Sequence, residues 1–298
     1  MLRTKESPGP AAPERAAQPK EPTMTVSILT LNEESNIRAC IESLSMFERS
    51  AITIWDGGSV DRTREIAAEM GVNVEHHAGT SPATRCAMTL DTDAEFVMHV
   101  DADQRLVSNP RLIMEREFAD PAVAGVQFAK RASKDSEGYW SRGFGQRMEW
   151  VAGVAGPSYV IGTPCIWRLS AARAVGNYDA SITGSTNDTD FCLRLRKGGY
   201  KVIIIPETAE ERFRDGFRGT VGKAYWYGCG DAEFVRNSKP LDTRHIYHVL
   251  VRNLLLLPAR ALLRAPTLFP FFAVFGIARA SGFVRNTLFP QDMTNTKS

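Results

Sequence analysis

Short unbroken apolar runs alternate with apolar residues spaced three and four apart, and this alternation is the first signal in the chain. Val26-Ser27-Ile28-Leu29-Thr30-Leu31 is a β-branched and aliphatic run that predicts a strand, closed by Asn32-Glu33-Glu34. Ser35 then predicts the N-cap of a helix in which Ile37, Cys40, Ile41 and Leu44 recur at helical spacing. A second strand over 51–55 ends on Asp56-Gly57-Gly58-Ser59, and Asp61 caps a helix with Ile66, Ala67 and Met70 on its inner face and Gly71 as its stop. Residues 72–75 predict a third strand, 82–90 a third helix, and Phe96-Val97-Met98-His99-Val100 a fourth strand that stops on Asp101 and Asp103. Strands and helices alternating through connections of a few residues predict a largely parallel sheet covered by helices on both faces.

The pattern loosens further on. A helix follows Asn109-Pro110, and 123–129 reads as a strand, but 130–150 is polar and aromatic without clean periodicity. Residues 162–168 predict a strand and 170–175 a short helix stopped by Gly176. A helix with Phe191 and Leu195 on one face ends at Gly198-Gly199, and a strand over 202–205 is closed by Pro206. Tyr225-Trp226-Tyr227 is expected on a helix packed over the site.

Both ends differ from this frame. Residues 1–23 hold five prolines and almost no large apolar residue, a composition that predicts a disordered tail and no export signal. From 245 to 289 the chain is apolar and aromatic, interrupted by Pro258 and Pro270, with only 14 uncharged residues between Arg264 and Arg279, short of the roughly 20 a spanning helix needs. From 241 to 298 seven Lys/Arg face two acids. Such a segment suits an anionic membrane interface, or a helical hairpin packed on the catalytic part or on a second copy in a homodimer. The expected division is a tail over 1–23, a catalytic domain over 24–240 and a C-terminal helical segment over 241–298.

Composition narrows the chemistry. At 298 residues and 43% hydrophobic the chain can bury a sizeable core. Lys and Arg number 36 against 34 acids, a balance that argues against nucleic acid as a partner. Cys40, Cys86, Cys165, Cys192 and Cys229 form no CxxC pair and no zinc-like cluster, so they read as buried thiols in a reducing compartment.

The strand ends carry the candidate chemistry. Asp101 and Asp103 lie on one face of an extended chain, where facing carboxylates can hold a hard divalent cation beside a phosphate. Thr30, Asn32, Glu33 and Asp56 end the neighbouring strands, at the edge where parallel sheets bind ligands. Gly57-Gly58 permits close backbone approach to a ligand, and Arg85 offers a cation to a diphosphate, although an ordinary exposed arginine is the alternative. No GxxxxGK loop and no GxGxxG follows any strand.

From Thr25 to about Ile205 the chain resembles a family 2 inverting glycosyltransferase of the GT-A fold. The resemblance rests on residues 26–33, on Trp55-Asp56-Gly57-Gly58-Ser59-Val60-Asp61-Arg62-Thr63, on His99-Val100-Asp101-Ala102-Asp103, and on Gly176-Asn177-Tyr178-Asp179 before Asn187-Asp188-Thr189-Asp190. It implies an α/β/α nucleotide-binding sandwich with a mostly parallel central sheet, followed by a C-terminal helical segment. By resemblance Asp56 bonds the nucleotide base, Asp101 approaches ribose and metal, and Asp103 is the main ligand of Mn2+ or Mg2+. The family places Glu-Asp where this chain has Asn187-Asp188, which makes Asp188 the expected general base and removes a neighbouring negative charge. A histidine usual after the last strand is missing, as is the Gln-x-x-Arg-Trp segment of processive synthases; Arg212, Arg214, Arg218 and Lys223 are the cations available there.

These features point to a cytoplasmic glycosyltransferase, peripheral at the inner face of the membrane if 245–289 meets lipid. It would move one sugar from a nucleotide-diphosphate sugar, with UDP favoured, to a soluble natural-product or glycan intermediate. The alternative acceptor is lipid-linked, on a polyprenyl phosphate. A binding module without turnover is the alternative of another class, suggested by Asn187.

Overall fold

The structure is a computed structural model that describes residues 23–290 except 137, 183, 214–215 and 238–243. Residues 1–22 of the tail expected over 1–23 and the candidate cation Arg214 lie outside the described residues. Nine strands form one sheet: β1 Met24–Thr30, β2 Ile52–Asp56, β3 Asn73–His76, β4 Phe96–Asp101, β5 Gln104–Leu106, β6 Val123–Ala132, β7 Gly156–Ser158, β8 Cys165–Arg168 and β9 Lys201–Glu211. The helices are α1 Ile37–Ser43, α2 Thr63–Glu69, α3 Pro82–Thr89, α4 Pro110–Glu117, α5 Tyr139–Ala152, α6 Leu169–Ala174, α7 Asn187–Lys197, α8 Phe217–Asn237, α9 Arg244–Val251, α10 Leu257–Arg264 and α11 Phe269–Leu288.

The strand order is β3-β2-β1-β4-β8-β6-β9-β5, with β7 paired to β9 outside that path. The half built from β1 to β4 is parallel, as the short β-α connections require. β8 runs antiparallel between β4 and β6, and β6 and β9 are again parallel. Register decides where the site lies. Thr30 sits opposite Asp56, and Leu29 opposite Asp101, so β1, β2 and β4 end at one level.

Alternation along the strands feeds two cores. Ile28, Ile54, Met98 and Val100 pack with Ile37 and Ile41 of α1, Leu44 just after it and Ile66 of α2, while Val97 and Trp167 pack with Phe191 and Leu195 of α7 on the other face. A third core of Phe144, Phe213, Phe271, Phe272 and Phe275 binds α5, α8, α10 and α11 together. All five cysteines are free and buried.

Four local expectations are corrected. Ser35 does not cap α1: the cap is Asn36, and its amide and that of Ile37 donate to the Glu33 carbonyl at 2.9 Å. Pro206 does not end the last strand. A register shift between Phe128/Ile205 and Ala129/Thr208 lifts Pro206 and Glu207 out of the ladder, so the missing amide costs no pairing and β9 runs on to Glu211. Residues 139–152 are helical: Trp140, Phe144, Met148 and Val151, spaced four, four and three apart, pack on the third core, and the buried Ser141, Gly143, Gly145 and Arg147 between them blur that stripe. Pro258 does not break the C-terminal run, because a π-helical turn over Arg252–Leu256 interrupts the i→i−4 ladder just before it.

Ile246–Arg264 and Pro266–Leu288 are therefore long and apolar enough to cross a membrane, by length and composition. Their outer faces expose Leu254, Leu255, Leu256, Leu263, Val284 and Phe289. Core helices of soluble proteins can share that length and composition.

α8 and α11 meet backbone to backbone. A Cβ on Gly228 would lie 1.8 Å from the Arg279 carbonyl oxygen, and one on Gly282 2.1 Å from that of Tyr225. Neither contact can yield without separating the helices. Gly228→Ala should therefore destabilise the protein by about 1–3 kcal/mol, although alanine favours a helix by about 1 kcal/mol over glycine; thermal unfolding followed by circular dichroism measures the sign.

Candidate active site

The ends of β1 and β2 are tied by one carboxylate. Asp56 is fully buried, and its oxygens accept from the amides of Gly58 and Ser59 at 3.0 Å, from His76 Nδ1 at 3.0 Å and from the Ser59 hydroxyl. Burial pushes its pKa up, but the Ser59 and His76 bonds more than offset this and hold it below the ordinary value. Ser59 Oγ also accepts from the Asn32 amide at 2.9 Å, and Asn32 Oδ1 accepts from the Val60 amide at 2.9 Å. Asn32 adopts φ 56°, a left-handed turn that asparagine tolerates. Glu33 fixes the start of α1, its carboxylate accepting from Asn36 Nδ2 at 2.7 Å. Beside them the Thr30 hydroxyl oxygen is buried without a partner.

Arg85 of α3 is buried, not a surface arginine. Its Nη1 donates to the Thr80 carbonyl at 2.9 Å, and its Nε has no partner. The group fills the space a side chain at 57 would need, since a Gly57 Cβ would lie 2.6 Å from Nη1. Burial lowers its pKa, while Asp56 and Asp101 favour its charge. Among the described residues no carboxylate comes within ion-pair distance of it, so it is a guanidinium prepared for an anion.

The end of β4 gathers more charge than the sequence indicated. Asp101 accepts from the Thr163 hydroxyl and from Gln104 Nε2 at 3.4 Å. Asp103 Oδ1 is buried with no partner. Glu211 arrives from β9 because Gln104 pairs with it across the β5–β9 ladder. It accepts from Lys130 Nζ at 3.0 Å and Gln104 Nε2 at 3.4 Å. Burial, then the charges of Glu211 and Asp101, push Asp103 well above the usual carboxylate range. Glu211 goes the other way: burial opposes its charge, but Lys130 and Lys223 outweigh it. Lys223 of α8 is held strongly protonated, first by Tyr227 and then, against burial, by Glu211, Asp103 and Asp101.

Among the described residues no group of three His, Cys, Asp or Glu side chains is arranged to hold a metal alone. A buried carboxylate oxygen without a partner, beside a second carboxylate, nevertheless fits a hard cation whose remaining ligands come from a substrate.

Asp188 lies in the first turn of α7, where Thr186 is the N-cap position. Its Oδ1 accepts from the Tyr178 hydroxyl at 3.1 Å, and Gly162 leaves its other oxygen room, since a Cβ there would be 3.2 Å away. Burial and the Asp101 charge raise its pKa to about 6, against the Tyr178 bond and Lys130, which lower it.

The sequence profile of glycosyl transferase family group 2 matches residues 96–286, and that of glycosyl transferase family 2 matches residues 25–165. The chain belongs to glycosyltransferase family 2. The succinoglycan biosynthesis protein ExoA of Rhizobium meliloti is 27% identical over 213 residues, 63% of this chain and 63% of that protein. The pre-mycofactocin glycosyltransferase of Mycobacterium tuberculosis is 28% identical over 254 residues, 79% of this chain and 51% of that protein. The chain thus spans between about half and two thirds of these relatives. A mannosyltransferase of Pyrobaculum calidifontis, solved with GDP-Man and Mn2+, superposes with a TM-score of 0.64 over 92% of this chain and 89% of its own, at 15% identity. That likeness is one of fold, the GT-A fold.

In this glycosyltransferase Thr30, Asn32, Glu33, Asp56, Asp101 and Asp103 lie at or just beyond the ends of neighbouring parallel strands, as expected. Arg85 joins them from α3. Arg212 sits at the edge of the site, its guanidinium on Asn36 Oδ1 at 3.0 Å and its amide on the Asp103 carbonyl at 2.9 Å. Glu211, Lys130, Gln104, Thr163 and the Tyr178 hydroxyl were missed. Lys130 had a signal, as the first charged side chain after the apolar run of β6; Glu211 was hidden by the expected stop at Pro206.

The charge balance at Asp103 has a measurable consequence. Its folded pKa is raised, so without metal the carboxylate subtracts stability as pH rises above its unfolded value. Asp103→Asn should raise the metal-free Tm at pH 8 by about 2–4 °C, the shift for about 1 kcal/mol in a domain of this size, and should abolish any stabilisation by Mn2+. Thermal scans with chelator and with Mn2+ read both effects.

Proposed function

We propose that this chain transfers a single sugar from a nucleotide-diphosphate sugar to an acceptor nucleophile with inversion, in a metal-dependent reaction. The carrying observation is Asp188, a partly shielded carboxylate with a pKa of about 6 that feels the charge of Asp101 across the crevice. Thr30, Asn32, Glu33 and Asp56 line the nucleotide side. Asp56, whose four acceptor sites are taken by Gly58, Ser59 and His76, holds the 57–59 turn against the base, and the free Thr30 hydroxyl can bond base or ribose. Arg85 faces the diphosphate. Asp101 and Asp103 would hold Mn2+ or Mg2+, which would supply positive charge to stabilise the departing diphosphate.

Asp188 accepts the proton of the acceptor nucleophile as its oxygen bonds the anomeric carbon from the face opposite the diphosphate. The carbon–oxygen bond to the diphosphate breaks in the same displacement, and the nucleoside diphosphate leaves. With a pKa of about 6 the base is mostly ionised at neutral pH yet still basic enough to take a proton. Lys223 and Lys130 keep the acidic crevice from repelling the donor. The favoured acceptor is a soluble natural-product or glycan intermediate, with a UDP-sugar as donor.

Activity should therefore fall below about pH 6 as Asp188 is protonated. Tyr178→Phe removes a bond that favours the carboxylate, so the acid limb of kcat/KM should move to higher pH. Asp188→Asn should lower kcat by about 10²–10⁴-fold while donor affinity, measured by calorimetry with Mn2+, stays within twofold. Donor binding without any loss of turnover in Asp188→Asn would remove the proposed base.

A second reading of the acceptor has its own observation. Residues 244–290 carry six arginines and no acid, and their helices expose a leucine-rich face. A face of that kind suits anionic lipid and a lipid-linked acceptor at the membrane surface. The chain should then float with vesicles containing anionic lipid, and Leu255→Glu with Leu263→Glu should leave it in the soluble fraction; recovery of the wild type without vesicle association would favour the soluble acceptor.

A further inference from the structure

Away from the strand-end crevice, three guanidinium groups meet around one carboxylate inside the C-terminal helices. Arg279 of α11 uses both oxygens of Asp231 on α8, Nε to Oδ2 at 2.7 Å and Nη2 to Oδ1 at 2.9 Å. Arg147 of α5 is 5% exposed and has no such partner. Its Nε and Nη2 donate to one amide oxygen, Asn253 Oδ1, at 3.2 and 3.1 Å, and its guanidinium lies 4.4 Å from the Phe275 ring centre. Arg252, in the π-helical turn, has a buried Nε without a partner and remains partly exposed.

With Asp231 committed to Arg279, no carboxylate among the described residues pairs with Arg147, which is buried, or with Arg252, which is partly buried. Arg147 records the strain: burial first, then the charge of Arg279 and more weakly that of Arg252, pull its pKa down to about 9. Burying like charges without a counter-ion is among the costliest arrangements a fold can hold. Packing does not require it, since an apolar side chain would fill the same space.

The cluster is continuous with the catalytic crevice. Lys223, Tyr227 and Asp231 recur every four residues along one face of α8. Arg279 lies 5.5 Å from the Tyr227 ring centre, and the same phenol acts on both Lys223 and Lys130. Lys130 in turn acts on Asp188. A polar track thus runs from the arginines to the proposed base. On the outer surface of the same helices lies a groove of about 620 Å³ lined by Leu254, Ile277, Val284, Leu288 and Phe289.

We propose that Arg147, Arg252 and Arg279, with the Tyr227 hydroxyl, form a phosphate-binding subsite for the acceptor, entered past Arg252. With their Nε–Nη2 edges taken, Arg147 and Arg279 leave Nη1, and Arg252 leaves its Nε, to donate to phosphate oxygens, and a dianion would neutralise the surplus charge. This subsite rests on the glycosyltransferase reading above, because an acceptor is what the polar track would lead to the base. The phosphate is either borne by a lipid, whose tail would take the apolar groove, or part of a water-soluble acceptor.

Thermal scans of the full chain test this, in wild type, Arg252→Gln and Arg252→Lys, with UDP or GDP and Mg2+ first added to occupy the donor crevice. Nucleotide shifts should be equal in all three proteins, and their absence would count against the donor site and not against this one. With nucleotide present, sodium phosphate or farnesyl phosphate, against sodium chloride and farnesol as controls, should raise the Tm of wild type and Arg252→Lys and leave Arg252→Gln unmoved. A response to farnesyl phosphate at concentrations where inorganic phosphate gives none identifies the lipid-borne source; equal responses identify the soluble one. No response in wild type to either probe, or a response that survives in Arg252→Gln, would overturn the proposal.

Discussion

Negative charge held at the closed end of a sheet is the constraint around which this molecule is arranged. Asp101, Asp103 and Glu211 converge there from β4, the turn after it and β9. Carboxylates brought so close must share protons, find cations or push the chain apart. Lys130 answers Glu211 at 3.0 Å, Thr163 and Gln104 answer Asp101, and Lys223 leans in from α8. Asp103 is answered least, with one oxygen buried and unbonded. That residual imbalance is what gives the crevice a use for a divalent cation, and it ties the folding of a distant strand and helix to the chemistry of a single turn.

How legible this was in the sequence depends on which side chains carry each element. The β-α half announces itself because β1, β2 and β4 are apolar runs that stop on Asn32, Asp56 and Asp101, and because parallel pairing aligns such stops. Asp188 could be named from its motif, but its environment could not: only the fold brings Tyr178 and Asp101 to it. Glu211 was unreadable for a specific reason. Proline ordinarily ends a ladder, and here a bulge at Pro206 and Glu207 carries the strand past it. Arg85 looked like surface because its burial depends on the space vacated at Gly57 by a residue nearly thirty positions away. α5 was missed although Trp140, Phe144, Met148 and Val151 recur at helical spacing, because buried glycine, serine and arginine between them blur the apolar stripe.

The C-terminal helices repeat the electrostatic theme with the sign reversed. Around Asp231 the surplus is positive, in Arg147, Arg252 and Arg279, and the helix that carries Asp231 also carries Lys223 two turns earlier. α8 thus has one end at the acidic crevice and its middle at the arginines. Two unbalanced sites of opposite sign on one helix suit a reaction that must accommodate a cation-bound diphosphate on one side and a separate acceptor on the other, under the roles proposed for them.

The helix can serve both sites only if its position is fixed. Gly228 and Gly282 let α8 and α11 approach until backbone touches backbone, and Gly276 lets α11 meet the Asn253 carbonyl in the same way. A side chain at 276 would push α11 off residues 253–254, and one at 228 or 282 would move α8 outward by the width of a methyl group or more. Lys223 would then withdraw from Glu211 and Asp103, and Asp231 from Arg279, because both project from the displaced helix. Close packing of three glycines in the apolar C-terminal region is therefore part of the electrostatics of the crevice, which explains why that region is folded against the catalytic sheet through a shared aromatic core and not merely attached to it.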